Sequence, residues 1–321
     1  MDMLAVHRAA RPLSRRRSIG RLAAREERAF WLFLLPWILG FIAFTGGPII
    51  ATLFLSLTDY TATTAPTWAG VHNYTTLFGD PLFQKSLLVT AYYTALSVPS
   101  GLVVSLALAL LLNQQVRGRG IFRTIFYLPT VIPAVAVALV FQWMLNPDVG
   151  LANYALNVLH LPKLYWFQDE STVIPAFALM SLWSVGGSMI VFLAALQAVP
   201  LEIYEAAALD GATAWRKFMY LTLPLISPAI LFNVVTGVIA ALQVFTPAYV
   251  IGSNTSGGAS NGDVGGPNYA SEFYVLYLFQ NAFQYFKFGY AAAQAWILFL
   301  IILALTVAML RASRRAVYYE A

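Results

Sequence analysis

The chain has 321 residues, 60% of them hydrophobic and 10% charged, with a formal net charge of +5. Ordinary soluble domains carry ~25% charged residues, so a soluble fold burying this much apolar surface is excluded and lipid must be part of the solvent. The absence of cysteine excludes disulfides, thiolate metal centres and cysteine nucleophiles together, and three histidines (His7, His72, His160) leave little material for a metal site.

Six stretches contain no Asp, Glu, Lys or Arg. Each is long enough for a helix of ~20 apolar residues, the length that crosses ~30 Å of hydrocarbon. The first follows a basic tail, residues 1–29, with eight arginines. It is too long for the apolar part of a signal peptide and is expected to stay as span 30–57, with Pro36 and Gly46-Gly47-Pro48 as kinks or an early end. Residues 30–85 make up this helix and its outside loop. The remaining spans are expected at 87–112, 124–145, 174–198, 225–247 and 289–310, inside a core of 86–312 that ends in a tail, 313–321. Pro99, Pro129 and Pro133 read as kinks within membrane helices. Composition therefore predicts an all-α integral membrane protein with six transmembrane helices.

The connections alternate in basicity. Sixteen basic residues fall on one side: the tail arginines, Arg117, Arg119 and Arg123, Arg216 and Lys217, and Arg311, Arg314 and Arg315. Three (Lys85, Lys163, Lys287) fall on the other. Basic residues collect on the cytoplasmic face, so both termini are expected inside. The basic tail then reads as an orientation signal, and no nucleic acid partner is implied. Connections 58–86, 146–173 and 248–288 lie outside. Tyr60, Trp68, Tyr154, Tyr165, Trp166, Tyr285 and Tyr290 gather near their boundaries as interfacial anchors. The third of these loops has a Gly-, Ser- and Asn-rich stretch, Ser253 to Pro267, that reads as mobile. Gln142 and Asn146, at the outer end of the third span, read equally as caps or as contacts for an outside protein.

The cytoplasmic connection 200–224 carries the sharpest pattern. Pro200 ends the fourth span, and Leu201 to Leu209 favour a helix with small alanines along one side. Gly211 permits a sharp turn, a second helix starts near Thr213, and Pro224 marks entry to the fifth span. A short helix–turn–helix on the cytoplasmic face results. Its alanine surface permits close approach by another protein, while Glu205 and Asp210 offer charge. The plainer reading is an amphipathic linker.

Glu205-Ala206-Ala207, then Gly211 and, further on, Leu223-Pro224 resemble the EAA signature of permease subunits of binding-protein-dependent ABC importers. Leu221 stands where isoleucine is common. Arg123-Thr124-Ile125-Phe126-Tyr127-Leu128-Pro129, Asn146-Pro147-Asp148-Val149-Gly150 and Phe288-Gly289-Tyr290 are similar to the carbohydrate-uptake branch, and most of all to the first permease subunit of sugar and glycerol-phosphate importers. The resemblance covers about residues 30 to 310. It implies the type I permease fold in a bacterial or archaeal cytoplasmic membrane. It also implies a second homologous permease, two ABC ATPase subunits and an external solute-binding protein as partners. Glu205, Ala206, Ala207, Asp210, Gly211, Leu223 and Pro224 would form the coupling loop seated on one ATPase. ATP and Mg would be used by the ATPases, with no cofactor bound by this chain. None of its four lysines follows a glycine, so it has no phosphate-binding G-x-x-x-x-G-K-[ST] loop.

Sugars need hydroxyl-matching groups and aromatic faces, so polar residues within the spans are candidates for the pathway. Trp183, Ser184 and Gly187, beside Ser181 and Ser188, belong to the fourth span, and Asn233, Gly237 and Gln243 to the fifth. A sugar exchanging hydrogen bonds with Asn233 and Gln243 against Trp183 is the expectation. Such small and polar residues also commonly serve helix contacts. An ion-coupled secondary carrier is the competing reading, but it needs ionisable groups at depth that these spans lack. A membrane enzyme needs bases or nucleophiles at depth that are equally missing.

Overall fold

The computed structural model describes residues 21–114, 117–255 and 264–316, and the chain divides into two compact units at Phe54/Leu55. Most of the basic amino-terminal tail and most of the Gly/Ser/Asn-rich stretch lie outside the described residues.

The first unit is helical. α1 (Arg21–Phe41) passes through a π-helical turn, Ile42–Gly46, into α2 (Gly47–Ser56). Pro36 sits inside α1, and the helix neither ends nor breaks at Gly46-Gly47-Pro48. The irregularity is the π turn, which ends on Gly46. Phe33, Trp37 and Phe44 are among many large apolar side chains left exposed along it, as a lipid-facing surface requires.

The second unit opens with a hairpin, β1 (Thr58–Thr61) and β2 (Thr64–Trp68), paired antiparallel. The all-α expectation is corrected here: the threonines, Tyr60 and Trp68 of residues 58–68 favour strand. α3 (His72–Gly79) follows, then α4 (Pro81–Asn113), whose N-cap Asp80 accepts the Leu82 amide at 2.9 Å with Pro81 in the first turn. The 33 residues of α4 reach ~50 Å, more than the membrane core needs.

The third span is not one helix. α5 (Arg119–Tyr127) runs through a 3-10 turn, Leu128–Val131, and a bend of 99° separates this segment from α6 (Ala134–Met144). Pro129 and Pro133 remove two amide donors, and Ile132, forced extended before a proline (ψ 131), takes the break. After α7 (Leu151–Val158), the fourth span is also broken. α8 (Val173–Ser181) and a 3-10 turn, Leu182–Ser184, meet α9 (Gly186–Ala198) at 51°.

α10 (Leu201–Leu209), α11 (Ala214–Lys217), a π turn at Phe218–Thr222 and α12 (Leu223–Leu225) form the connection between the fourth and fifth spans. α13 (Ser227–Leu242) continues into α14 (Thr246–Thr255), so the fifth apolar helix runs beyond residue 247, to Asn254. α15 (Tyr274–Phe279), a π turn at Gln280–Gln284 and α16 (Phe288–Ala316) complete the chain. By length and composition, four to six helices of the described chain are able to cross a membrane.

α4 is the hub, packing against α8, α9, α13 and α15. Towards its start, edge-on rings run Phe167–Phe177–Phe273–Tyr93 at centroid separations of 5.4, 5.2 and 5.2 Å. Towards its end, Ala109 and Leu112 pack with Met189, Phe192, Leu196 and Ile226.

Candidate translocation cavity and coupling loop

Between these two apolar clusters lies a cavity of about 250 Å³ where α4, α9 and α13 converge. Gly237 on α13 faces Val98 and Gly101 on α4 faces Val185, where a Cβ would make ordinary contact at 3.5 and 4.0 Å. Hydroxyls and an amide face the gap. The lining includes Ser97 and Tyr93 from α4, Ser184 and Ser188 from the fourth span, and Asn233 from α13, with no charged side chain. Ser97 Oγ is buried and makes no hydrogen bond. Asn233 is buried and donates from Nδ2 to the Ala229 carbonyl at 2.9 Å, one turn back on its own helix. A neutral polyhydroxyl ligand could pair with such groups; an ion would meet no counter-charge.

The sequence candidates divide here. Ser184, Asn233 and Gly237 line the cavity; Trp183, Gly187 and Gln243 do not. The 3-10 turn rotates Trp183 away, and its ring packs edge-on against Phe141 at 5.9 Å. Gln243 caps α13 and, ten residues beyond Asn233, lies about 80° around the helix from it. A sugar held between Asn233, Gln243 and Trp183 is therefore not what this arrangement offers. Tyr93, Ser97 and Gly101 are lining residues that sequence reasoning missed. Their signal was present as a polar row, Thr90, Thr94, Ser97 and Gly101, at helical spacing through an apolar span.

Gly186, not Gly187, is the critical glycine of the fourth span. A Cβ on it would lie 2.3 Å from the Phe126 carbonyl oxygen, whereas nothing lies within 4 Å of one on Gly187. The broken third and fourth spans touch backbone to backbone at this point.

The loop 200–224, the candidate for coupling, takes the form its residues dictate. Pro200 caps α10, and the helix ends in a Schellman turn, with Gly211 at φ +76°. The Ala212 amide donates to the Ala207 carbonyl at 2.9 Å and the Gly211 amide to Ala208 at 3.1 Å. Thr213 then caps α11. Tyr204 and Thr222 hydroxyls share a hydrogen bond at 3.0 Å that ties α10 to the foot of the fifth span, where Leu223 and Pro224 open α12. Glu205, Ala206 and Asp210 are exposed, and Leu209 is 91% exposed.

At the start of α4, Asp80 accepts hydrogen bonds from Tyr277 and, at 2.7 Å, from Tyr290. Burial pushes this carboxyl up, but the two phenols and the Leu82 and Phe83 amides outweigh it and hold it below the usual value. Burial and the Asp80 carboxylate push the Tyr277 phenol up, so it remains a donor. Gln142 and Asn146 act within the chain: Gln142 Oε1 accepts from Asn254 at 3.1 Å, and Asn146 Oδ1 accepts the Asp148 and Val149 amides.

Broken apolar helices around a central α4, with an exposed helical loop before the fifth span, define a membrane permease of the ABC-importer class. The chain belongs to the family described as binding-protein-dependent transport system inner membrane component, which matches residues 101–319. It is 39% identical to a probable ABC transporter permease protein, YesP, of Bacillus subtilis (strain 168), over 94% of this chain and 95% of that one. It is 33% identical to the lactose transport system permease protein LacF of Rhizobium radiobacter, over 88% and 93% of the two chains. Among solved structures, a chain of a bacterial ABC transporter involved in import of the acidic polysaccharide alginate superposes with a TM-score of 0.76 at 27% identity, covering 92% of this chain and 99% of that one. The protein is thus a transport subunit of an ABC importer rather than an enzyme, and nothing in these likenesses supports an ion-coupled carrier.

Proposed function

We propose that this chain is one half of the membrane pathway of an ATP-driven importer for a carbohydrate: a sugar, an oligosaccharide or a related polyol or glycerol phosphate. An anionic member of that class, such as glycerol phosphate, would need its counter-charge from the partner permease. The observation that carries a neutral, hydroxyl-rich substrate within the class is the uncharged cavity lined by Ser97, Ser184, Ser188 and Asn233. Its ~250 Å³ falls below the ~300–1,000 Å³ of complete small-molecule pockets, which fits a half-site completed by a second, homologous permease. The lactose system among its likenesses supports a neutral saccharide, and the alginate system the wider carbohydrate class.

In this reading six spans cross a bacterial or archaeal inner membrane, the bent pairs each counting as one, with both termini inside. Residues 1–29 and 313–321 are cytoplasmic tails, 30–85 the first helix and its outside loop, and 86–312 the permease core. An external solute-binding protein delivers the substrate. Two ABC ATPases use ATP and Mg, and one of them receives the loop around Glu205–Gly211. Exposed Leu209, Trp215 and Tyr220 suit a surface that a partner covers. Closure of the ATPases then shifts the permease pair between inward-open and outward-open states.

The test is uptake by the complete transporter in liposomes, with its binding protein and a panel of labelled saccharides. Asn233→Ala should raise the half-saturating concentration ~3- to 10-fold, the effect of one lost hydrogen bond, with Gln243→Ala unchanged. Transport of no saccharide, with ATP-driven uptake of an amino acid or ion instead, would contradict the substrate class.

A further inference from the structure

We propose that α5 carries a binding site for the headgroup of an anionic phospholipid, read by Arg123. The helix is sharply two-faced. Ile121, Phe122 and Ile125 form one side and are exposed, while Arg119 and Arg123, four residues apart, mark the other, with Phe126 beside Arg119. Arg117 precedes them. Among the described residues none of these three arginines has an acidic partner, the ion pair present being Lys163–Asp148 at 2.7 Å.

Arg123 is the anomaly. Its Nε and Nη2 are buried and make no hydrogen bond. These two N–H groups form the side edge of the guanidinium, the edge that grips a phosphate with two parallel bonds. A buried, unpaired charge is unfavourable unless a counter-charge arrives. The side chain as a whole is only half-buried, so rotation about its outer torsions turns that edge toward the surface. Arg119 and Arg123 lie at the start of the broken third span, where basic residues beside an apolar face come within reach of lipid headgroups. An apolar face alone would suit a second permease equally well. Three arginines without an acid favour a lipid phosphate, with its acyl chains over Ile121, Phe122 and Ile125. The site does not depend on which leaflet α5 faces, so its test is separate from the topology proposed above.

The experiment is native mass spectrometry of the full-length chain released from nanodiscs containing equal phosphatidylglycerol and phosphatidylcholine. Wild type should retain phosphatidylglycerol in preference. Arg123→Gln should lower that retention roughly fivefold with phosphatidylcholine unchanged, and Arg123→Lys should fall between. Lys163→Gln removes one positive charge from the outside loop and should match wild type. Equal retention of both lipids by wild type overturns the proposal without any variant, which covers the case where Arg123→Gln fails to fold. It is also overturned if Arg123→Gln keeps its phosphatidylglycerol, or if Lys163→Gln loses as much. Loss of co-purification with the second permease at unchanged lipid retention would reassign Arg123 to a protein contact, and overturns it too.

Discussion

Gly186 has no room for a methyl group: the nearest atom is a backbone carbonyl oxygen, that of Phe126, which has no rotamer with which to yield. Gly186→Ala should therefore destabilise the chain by ~1–3 kcal/mol, while Gly187→Ala, with nothing within 4 Å, should leave the unfolding temperature in detergent unchanged. Equal effects would contradict the close approach. Asp80 gives a pH test. Its folded-state pKa lies below the usual value of 3.8, so its contribution is complete above that value and is lost as pH falls through the lower, folded one. The stability gap between wild type and Asp80→Asn should close between pH ~5 and the acid limit of measurement; a gap that stays constant would contradict it. Neither residue was legible beforehand. Asp80 could be read as a cap from Asp-Pro alone, but its phenol partners come from 197 and 210 residues away, and no local pattern encodes that.

At the level of elements, local chemistry was readable and long-range geometry was not. The coupling loop formed where Pro200, Gly211 and Thr213 placed it, because each acts on its own backbone. Gly211→Ala should cost ~1–2 kcal/mol through the positive φ alone, since nothing crowds the position. Its effect should therefore appear as weaker ATPase attachment in pull-downs rather than failure of the chain to fold. The third and fourth spans were legible as apolar lengths but not as bent pairs. Prolines at 129 and 133 announced a kink, whereas its 99° extent is not written in any local pattern. The cavity was half legible for a related reason. Ser184, Asn233 and Gly237 stood out in the sequence, but the polar row on α4 had to be seen against α9 and α13 to matter.

For the whole molecule, charge distribution and apolar length together specify a topology that the cysteine-free chain makes easy to probe. A single cysteine at Val149 should react with an impermeant maleimide from outside intact cells, and one at Leu209 only after permeabilisation; the reverse pattern would invert the proposed orientation. This bundle, without charge in its cavity, should take its power stroke from a separate ATPase bound at the α10–α11 loop. The direct measurement is the ratio of saccharide transported to ATP hydrolysed by the reconstituted complex, before and after Glu205→Lys. Transport should collapse in the variant, with any remaining hydrolysis no longer responding to the binding protein. Transport that stays coupled to hydrolysis at the wild-type ratio, with the loop's charge reversed, would contradict the account.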